Sequence, residues 1–292
     1  MTEFLQYVFN GLVVGGTYAL IGTGMTLIYG IMRIVNFAHG EFYMVGAYFF
    51  YTLWVLLGVN PLLAMVITFL LVLLIGAGFE QLCIRPLRKE SPSSSMLMAM
   101  GLSIVLQNAA LLIWGGEVQT VPKLVQSETF TVGGIAFSMD RIWIFLIAFL
   151  IIMGTSLFIN KTKTGRSIRA TFQDTEAAEV VGVNIEKVYS ITFGFGAALA
   201  SAGGFLLSPL FLISPTMGML AVGKAFAVVT TGGMGNIKGA ILGGLLLGVV
   251  ESLGAGYISS GYKDAFGFIV IILVLLLRPQ GLLGKRRKGA SS

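Results

Sequence analysis

The sequence predicts an all-α polytopic membrane protein of eight or nine transmembrane helices, some short or broken, in a single domain over residues 1–292. Three observations carry this. Hydrophobic residues make up 56% of the chain and charged residues 11%, with a mean hydropathy of +0.90. A soluble domain carries roughly 25% charged residues and needs them to cover a water-facing surface. Glycine is in excess, at 39 residues, as expected where helices approach backbone to backbone in lipid. Finally, long apolar runs follow one another with short polar connections and no second soluble domain between them.

Nine apolar segments are read, roughly over 5–31, 41–57, 61–84, 95–115, 141–160, 188–208, 217–232, 237–256 and 264–277. Crossing the hydrocarbon takes about 20 residues of helix. The second and seventh segments are short or broken by glycine, so either is a candidate re-entrant segment. The first contains Asn10 and Thr17. The fourth carries Gln107 and Asn108 midway. Lys224 falls in the seventh and Glu251 in the eighth. A lone charge at mid-membrane costs about 2.5–3.5 kcal/mol on insertion scales, which calls for a partner or a watery path. Lys224 and Glu251 lie on consecutive, antiparallel spans and are expected to pair; the alternative is that Lys224 snorkels to an interface. Gly239, Gly243, Gly244 and Gly248 form small-residue steps suited to helix packing.

Basic residues give the orientation. Arg33, then Arg85, Arg88 and Lys89, then Lys161, Lys163, Arg166 and Arg169 fall in alternate connections, continued by Lys238 and by Arg278, Lys285, Arg286, Arg287 and Lys288. The other connections are poor in them: the 115–140 loop sets Glu117, Glu128 and Asp140 against Lys123, and 209–217 has no charge. The positive-inside rule places the N-terminus outside and the C-terminus in the cytoplasm, which agrees with nine spans. The net charge of +6 therefore sets topology and is no sign of nucleic-acid binding. A single cysteine, Cys83, allows no internal disulfide. Met1 to Glu3 lack a basic start, so no cleavable signal peptide is expected.

The hydrophilic stretch 161–187 is the feature with least work to do in the bilayer. It is expected to be a cytoplasmic connection of one or two short helices, punctuated by Gly165 and Gly182. Ile168, Ala170, Phe172, Ala177, Ala178, Val180 and Val181 alternate with Arg166, Arg169, Asp174, Glu176 and Glu179 in an amphipathic pattern. The small pair Ala177–Ala178 would let a cytosolic partner approach closely, and Gly182 would permit the turn into the next span. A helix merely lying on the membrane surface is the plain alternative. No phosphate-binding Gly-x4-Gly-Lys-Ser/Thr loop is present, so a nucleotide would have to be hydrolysed on another chain. With one histidine, His39, and no cluster of Cys or carboxylates, neither a zinc site nor a catalytic group is expected.

Between the first two segments runs Arg33-Ile34-Val35-Asn36-Phe37-Ala38-His39-Gly40-Glu41. Asn36 can cap the next helix by accepting backbone N–H groups, and Glu41 then falls in its first turn, where the helix dipole favours it. One reading is a capped helix start at the membrane surface. The other is a broken helix beside a solute path.

Two motifs carry a family resemblance. Glu176-Ala177-Ala178 followed by Gly182 is similar to the Glu-Ala-Ala-x-x-x-Gly element with which ABC-importer permeases dock on their ATPase, although the Ile-x-Leu-Pro tail is missing and Thr192 stands where Ile is expected. The run Asn36 to Tyr48 resembles the signature of permeases in branched-chain amino acid ABC importers. Thr230-Thr231-Gly232-Gly233-Met234-Gly235-Asn236 and Arg278-Pro279-Gln280-Gly281-Leu282 fit as well, so the likeness covers essentially the whole chain. It implies a bacterial or archaeal inner-membrane importer. Its expected parts are a second permease subunit in a heterodimer, two cytoplasmic ATPase subunits that hold the ATP and Mg, and a periplasmic or lipid-anchored solute-binding protein; this chain itself binds no cofactor. The resemblance makes Arg169, Asp174, Glu176, Ala177, Ala178 and Gly182 candidates for ATPase coupling. Asn36, His39, Glu41, Gln107, Asn108, Lys224 and Glu251 are candidates for the translocation path. Relatives also carry urea and short amides. A secondary transporter would leave the 161–187 loop idle and ask for more intramembrane acids. A membrane enzyme would need clustered His, Asp or Ser at one face.

Overall fold

The computed structural model describes residues 2–88, 90–125, 130–132 and 135–284. Lys89, Glu128, Lys285, Arg286, Arg287 and Lys288, counted above among the charged residues of the connections, lie outside the described residues. Every predicted apolar segment is helical. The helices are α1 (Thr2–Met32), α2 (His39–Tyr51), α3 (Pro61–Phe79), α4 (Pro92–Trp114), α5 (Met139–Lys161), α6 (Lys163–Gln173), α7 (Thr175–Val180), α8 (Ile185–Leu207), α9 (Met217–Gly232), α10 (Ile237–Tyr257) and α11 (Lys263–Leu277). Among the described residues, seven helical stretches are long and apolar enough to cross a bilayer, and α9 is a shorter apolar helix. The short second segment is α2 extended by a π-helical turn, Thr52–Leu56. One departure from all-helix is a small antiparallel hairpin, Phe130–Val132 (β1) with Ile135–Phe137 (β2).

Asparagines start three of the helices. Asn60 accepts the Leu62 N–H at 3.0 Å with Pro61 in the first turn of α3, Asn184 accepts that of Lys187 at 2.9 Å, and Asn236 that of Gly239 at 3.1 Å. Asn36 does not belong to this set. Its Oδ1 accepts the Ala38 N–H at 3.1 Å, two residues on, and Ala38 is the N-cap of α2 with no side-chain cap. The expected capping role is thus replaced by a local turn. Gly165, expected to punctuate the 161–187 connection, lies in the first turn of α6, whose N-cap Thr162 accepts its N–H at 2.9 Å. Gly182 (φ +86°) is the turn glycine there.

The centre of the protein is α1, flanked by α8 and α10 and touched by α5 and α9. Helices α3, α4, α5 and α11 form the outside, and their exposed faces are apolar, Leu74 and Leu112 among them. That is the inverse of a soluble protein and what lipid contact requires. Along the α1–α10 seam glycines face each other with no side chains between. A Cβ on Gly15 would lie 2.9 Å from the Gly244 carbonyl oxygen, and one on Gly11 2.6 Å from the Val249 Cα. By contrast a Cβ on Gly223 meets nothing within 4 Å. Gly15→Val is therefore expected to lower stability by on the order of 2–3 kcal/mol through forced backbone separation, while Gly223→Val stays near wild type. The check is the fraction of detergent-extracted protein that remains monodisperse on heating; equal losses for both variants would show the seam is not close-packed.

The connections segregate to two ends. At one end the Arg33 guanidinium lies 5.9 Å from the Phe172 ring centroid of α6, and Arg85 pairs with Glu186 at 3.1 Å. There too Leu282 N–H and Leu283 N–H bond the carbonyls of Thr231 and Gly232 at 2.8 and 3.1 Å. At the other end Gln6 Oε1 accepts the Ala136 N–H at 2.8 Å, and Gln119 and Ile213 exchange two backbone bonds of 2.9 Å. The lysine- and arginine-rich connections thus share one end of the bundle.

Candidate functional site

The polar element 161–187 forms two helices at the basic end. Asp174 ends α6 and caps α7 by accepting the Ala177 N–H at 3.0 Å, which fixes a sharp corner between them. Asp174, Glu176, Ala177 and Gly182 are exposed. So are Glu179, Val180 and Val181, the two valines at 87% and 77%. The tip is therefore a small apolar patch rimmed by carboxylates. Two candidates point elsewhere. Ala178 is buried, so of the Ala177–Ala178 pair only Ala177 faces outward: on so short a helix, consecutive residues fall on different faces. Arg169 donates to the carbonyl of Ile159 at the end of α5, where a cation suits the helix C-terminus; it holds α6 in place. Phe172 packs between Gly30 and Gly235, anchoring the element to the bundle.

The Asn36–Glu41 run is not at the end of the bundle. The chain reverses after α1, with Arg33 at φ +57°, and re-enters. His39 Nε2 then reaches the carbonyl of Ile21, in the interior of α1, at 2.9 Å. Helix α2 thus begins inside the protein, and the reading of a helix start at the membrane surface gives way to that of a broken helix. Asn36, His39 and Glu41 are all buried. Glu41 Oε1 accepts from Ser103 of α4 at 2.9 Å, and Gly218 leaves room for the carboxylate, since a Cβ there would sit 2.6 Å from the Glu41 Cδ. Among the described residues Asn36 Nδ2, His39 Nδ1 and Glu41 Oε2 find no hydrogen-bond partner. Unspent polar atoms in so buried a place call for a solute, water or another conformation.

Lys224 and Glu251 do pair. The Lys224 ammonium contacts Glu251 Oε1 and also lies 2.8 Å from Asp264 Oδ1 of α11, while Tyr18 of α1 donates to Glu251 Oε2 at 3.0 Å. The cluster joins four helices. Gln107 is half-buried, and Asn108 is exposed, its Nδ2 donating to the Ile104 carbonyl at 2.8 Å on its own helix. Among the described residues no hydrogen bond or ion pair joins these amides to the Asn36–Glu41 group, or that group to Lys224–Glu251.

One functional-looking group was missed from sequence. Glu80, wholly buried in the π-helical end of α3, bonds Ser190 and faces Arg85 at 3.5 Å and Arg88 at 2.9 Å. The signal was an acid inside an apolar segment with two arginines shortly after it, which were read only as topology markers.

A bundle of apolar helices around a glycine-packed centre, with one helix that begins in the interior and a polar helical element at its basic end, is the architecture of a polytopic membrane protein. The chain belongs to the family described as branched-chain amino acid transport system / permease component, whose model matches residues 7–275. It is 39% identical over 296 residues to the high-affinity branched-chain amino acid transport system permease protein BraD of Pseudomonas aeruginosa, covering 97% of this chain and 96% of the relative. It is 37% identical over 302 residues to LivH of Escherichia coli K12, with the same coverage. Among solved structures, PsaBC from Streptococcus pneumoniae in complex with Fab shares the fold, with a TM-score of 0.50 at 12% identity over 95% of this chain and 93% of that one.

Proposed function

We propose that this chain is one transmembrane subunit of an ATP-driven importer that carries leucine, isoleucine, valine or a similarly apolar amino acid into the cytoplasm. The observation that carries it is the exposed α6–α7 tip, held by Asp174, Phe172 and Arg169 on a protein with no nucleotide-binding loop of its own. Such a tip transmits force only if another subunit grips it, and Glu176, Ala177, Val180 and Val181 are the surface offered. The relatives named for branched-chain amino acid transport support the solute. So does the chemistry: the spans carry mainly aliphatic and glycine residues with scattered amides and hydroxyls, past which an aliphatic side chain slides at little desolvation cost. Selectivity would then reside in an external binding protein. The basic end, with α6 and α7, is assigned to the cytoplasm by the positive-inside rule, which puts the N-terminus outside. A second permease subunit would cover part of the outer helices, and two ATPases would hold the nucleotide.

The test is uptake into proteoliposomes holding the permease pair, ATPases and binding protein, offered radiolabelled leucine and urea in parallel. ATP-dependent leucine uptake without urea uptake is expected. Urea uptake alone would overturn the solute, and leucine uptake with the ATPases omitted would overturn the mechanism.

A further inference from the structure

Helix α4 packs mainly on α2 and on the π-helical end of α3. Its buried residues, Ser95, Ala99, Leu102 and Ala110, share one face. Opposite them, at the centre of the exposed face, stand Gly101 and Asn108, two turns apart. Leu97, Ile104 and Leu111 flank them on one side and Met98, Val105 and Leu112 on the other, all exposed. Other outer faces lack such a polar group. Every exposed residue of α3 is Leu or Val, and past its first turn every exposed residue of α11 is apolar.

Asn108 lies about 9 Å along the helix from its end at Trp114 and about 24 Å from its start at Pro92. So short a side chain reaches neither membrane surface from there. Its Nδ2 donates to the Ile104 carbonyl of its own helix at 2.8 Å, and among the described residues its Oδ1 accepts no hydrogen bond. A polar group left bare in hydrocarbon is costly. A water-filled path does not suit this place, because the side chains around the amide are aliphatic. A second helix does. Residues 97, 101, 104, 108 and 111 follow one another in steps of four and three, the spacing at which a helix meets a partner that crosses it at a shallow angle. Gly101 lets two backbones approach, and Asn108 supplies a hydrogen bond between helices.

We propose that this face of α4 is covered by a helix of a second transmembrane subunit, which sets a hydrogen-bond donor against Asn108. The proposal rests on the transport reading above, in which the second permease subunit is the partner that shares the bilayer; the ATPases and the binding protein stand at its two surfaces.

The experiment uses the whole complex in its membrane. A benzophenone amino acid is placed at Ile104 or Leu112 and, as controls, at Leu70 of α3 or Leu150 of α5, which are exposed aliphatic positions too. Irradiation is expected to join the α4 positions to the second permease subunit, identified by mass spectrometry, and the controls to lipid alone. Adducts of the α4 positions with lipid only, or with another copy of this chain, would overturn the assignment, as would equal yields from the controls. Gly101→Leu gives the energetic test. A Cβ on Gly101 meets nothing within 4 Å, and the same holds at Gly154 of α5, so neither position is crowded by this chain. Gly101→Leu is expected to cut the second permease recovered on purification by at least about tenfold, and Asn108→Leu by about threefold to tenfold. Asn108→Gln, which keeps the amide, should retain most of it, and Gly154→Leu all of it. Lipid contact would instead make Gly101→Leu as harmless as Gly154→Leu, and that result overturns the interface. The uptake assay of the preceding section separates the two ideas. Leucine uptake with no subunit adduct at α4 overturns this interface alone, adducts without leucine uptake overturn the transport reading alone, and absence of both overturns both.

Discussion

Gly182→Val is expected to insert normally yet lose at least about nine-tenths of uptake and most of its ATPase subunits on purification. Gly182 sits at φ +86° with nothing within 4 Å of the place a Cβ would occupy. The penalty is therefore purely conformational. A side chain in left-handed backbone costs about 1–2 kcal/mol, more when β-branched. The chain can avoid that cost only by reshaping the exit from α7, which moves the Glu176–Val181 tip. Because there is no clash, the effect must follow backbone preference and not size. Gly182→Asn, a larger side chain than alanine but tolerant of this region, should retain much more uptake than Gly182→Ala. The opposite order of Asn and Ala would overturn the argument, as would normal co-purification of Gly182→Val.

The second large effect concerns the buried ion pair. Lys224→Met removes the cation that Glu251 and Asp264 contact directly, and Glu251 is wholly buried. Breaking such a pair from one side costs about 3–5 kcal/mol, because the remaining charge is stranded. Glu251→Leu strands Lys224 less severely, since Asp264, half exposed, still faces it at 2.8 Å. The single changes are therefore expected to be unequal, lysine removal being the worse. The double change Lys224→Met with Glu251→Leu should be milder than the sum of the two. Thermal midpoints of the purified complex and uptake rates give the cycle; strict additivity would show the charges are uncoupled.

The architecture was largely legible because a bilayer imposes length and polarity on each span, and both are properties of single segments. The short seventh segment, the 161–187 element and the Lys224–Glu251 pair could all be read this way. What escaped depended on three-dimensional reversal. Asn36 looked like a cap because cap chemistry is local, but the chain turns back at Arg33 and carries α2 into the interior, so that His39 meets Ile21. Ala178 looked exposed because its neighbours are, and only the actual rotation of α7 turns it inward. Gly165 was read as punctuation, and what the sequence did not show is its close approach: a Cβ there would collide with the end of α5. Tyr18 and Asp264 were invisible as partners because each is distant in sequence from the group it serves, whereas Glu80 lies close before Arg85 and Arg88 and was missed because those arginines were read as topology markers.

The glycine-to-glycine seam between α1 and α10 has a consequence at the level of the gene. Every missense change one base away from a glycine codon adds at least a Cβ, so no such change is neutral in shape. At Gly11, Gly15, Gly244 and Gly248 the added atom lands on the backbone of the opposite helix, and shrinking a side chain across the seam does not remove a backbone atom. Adaptation along this seam is blocked to single steps. The lipid-facing leucines of α3 can drift freely among apolar residues. The lineage is thus free to vary at its rim and bound to its axis, and changes of solute or of partner must be reached through the outer helices and the connections.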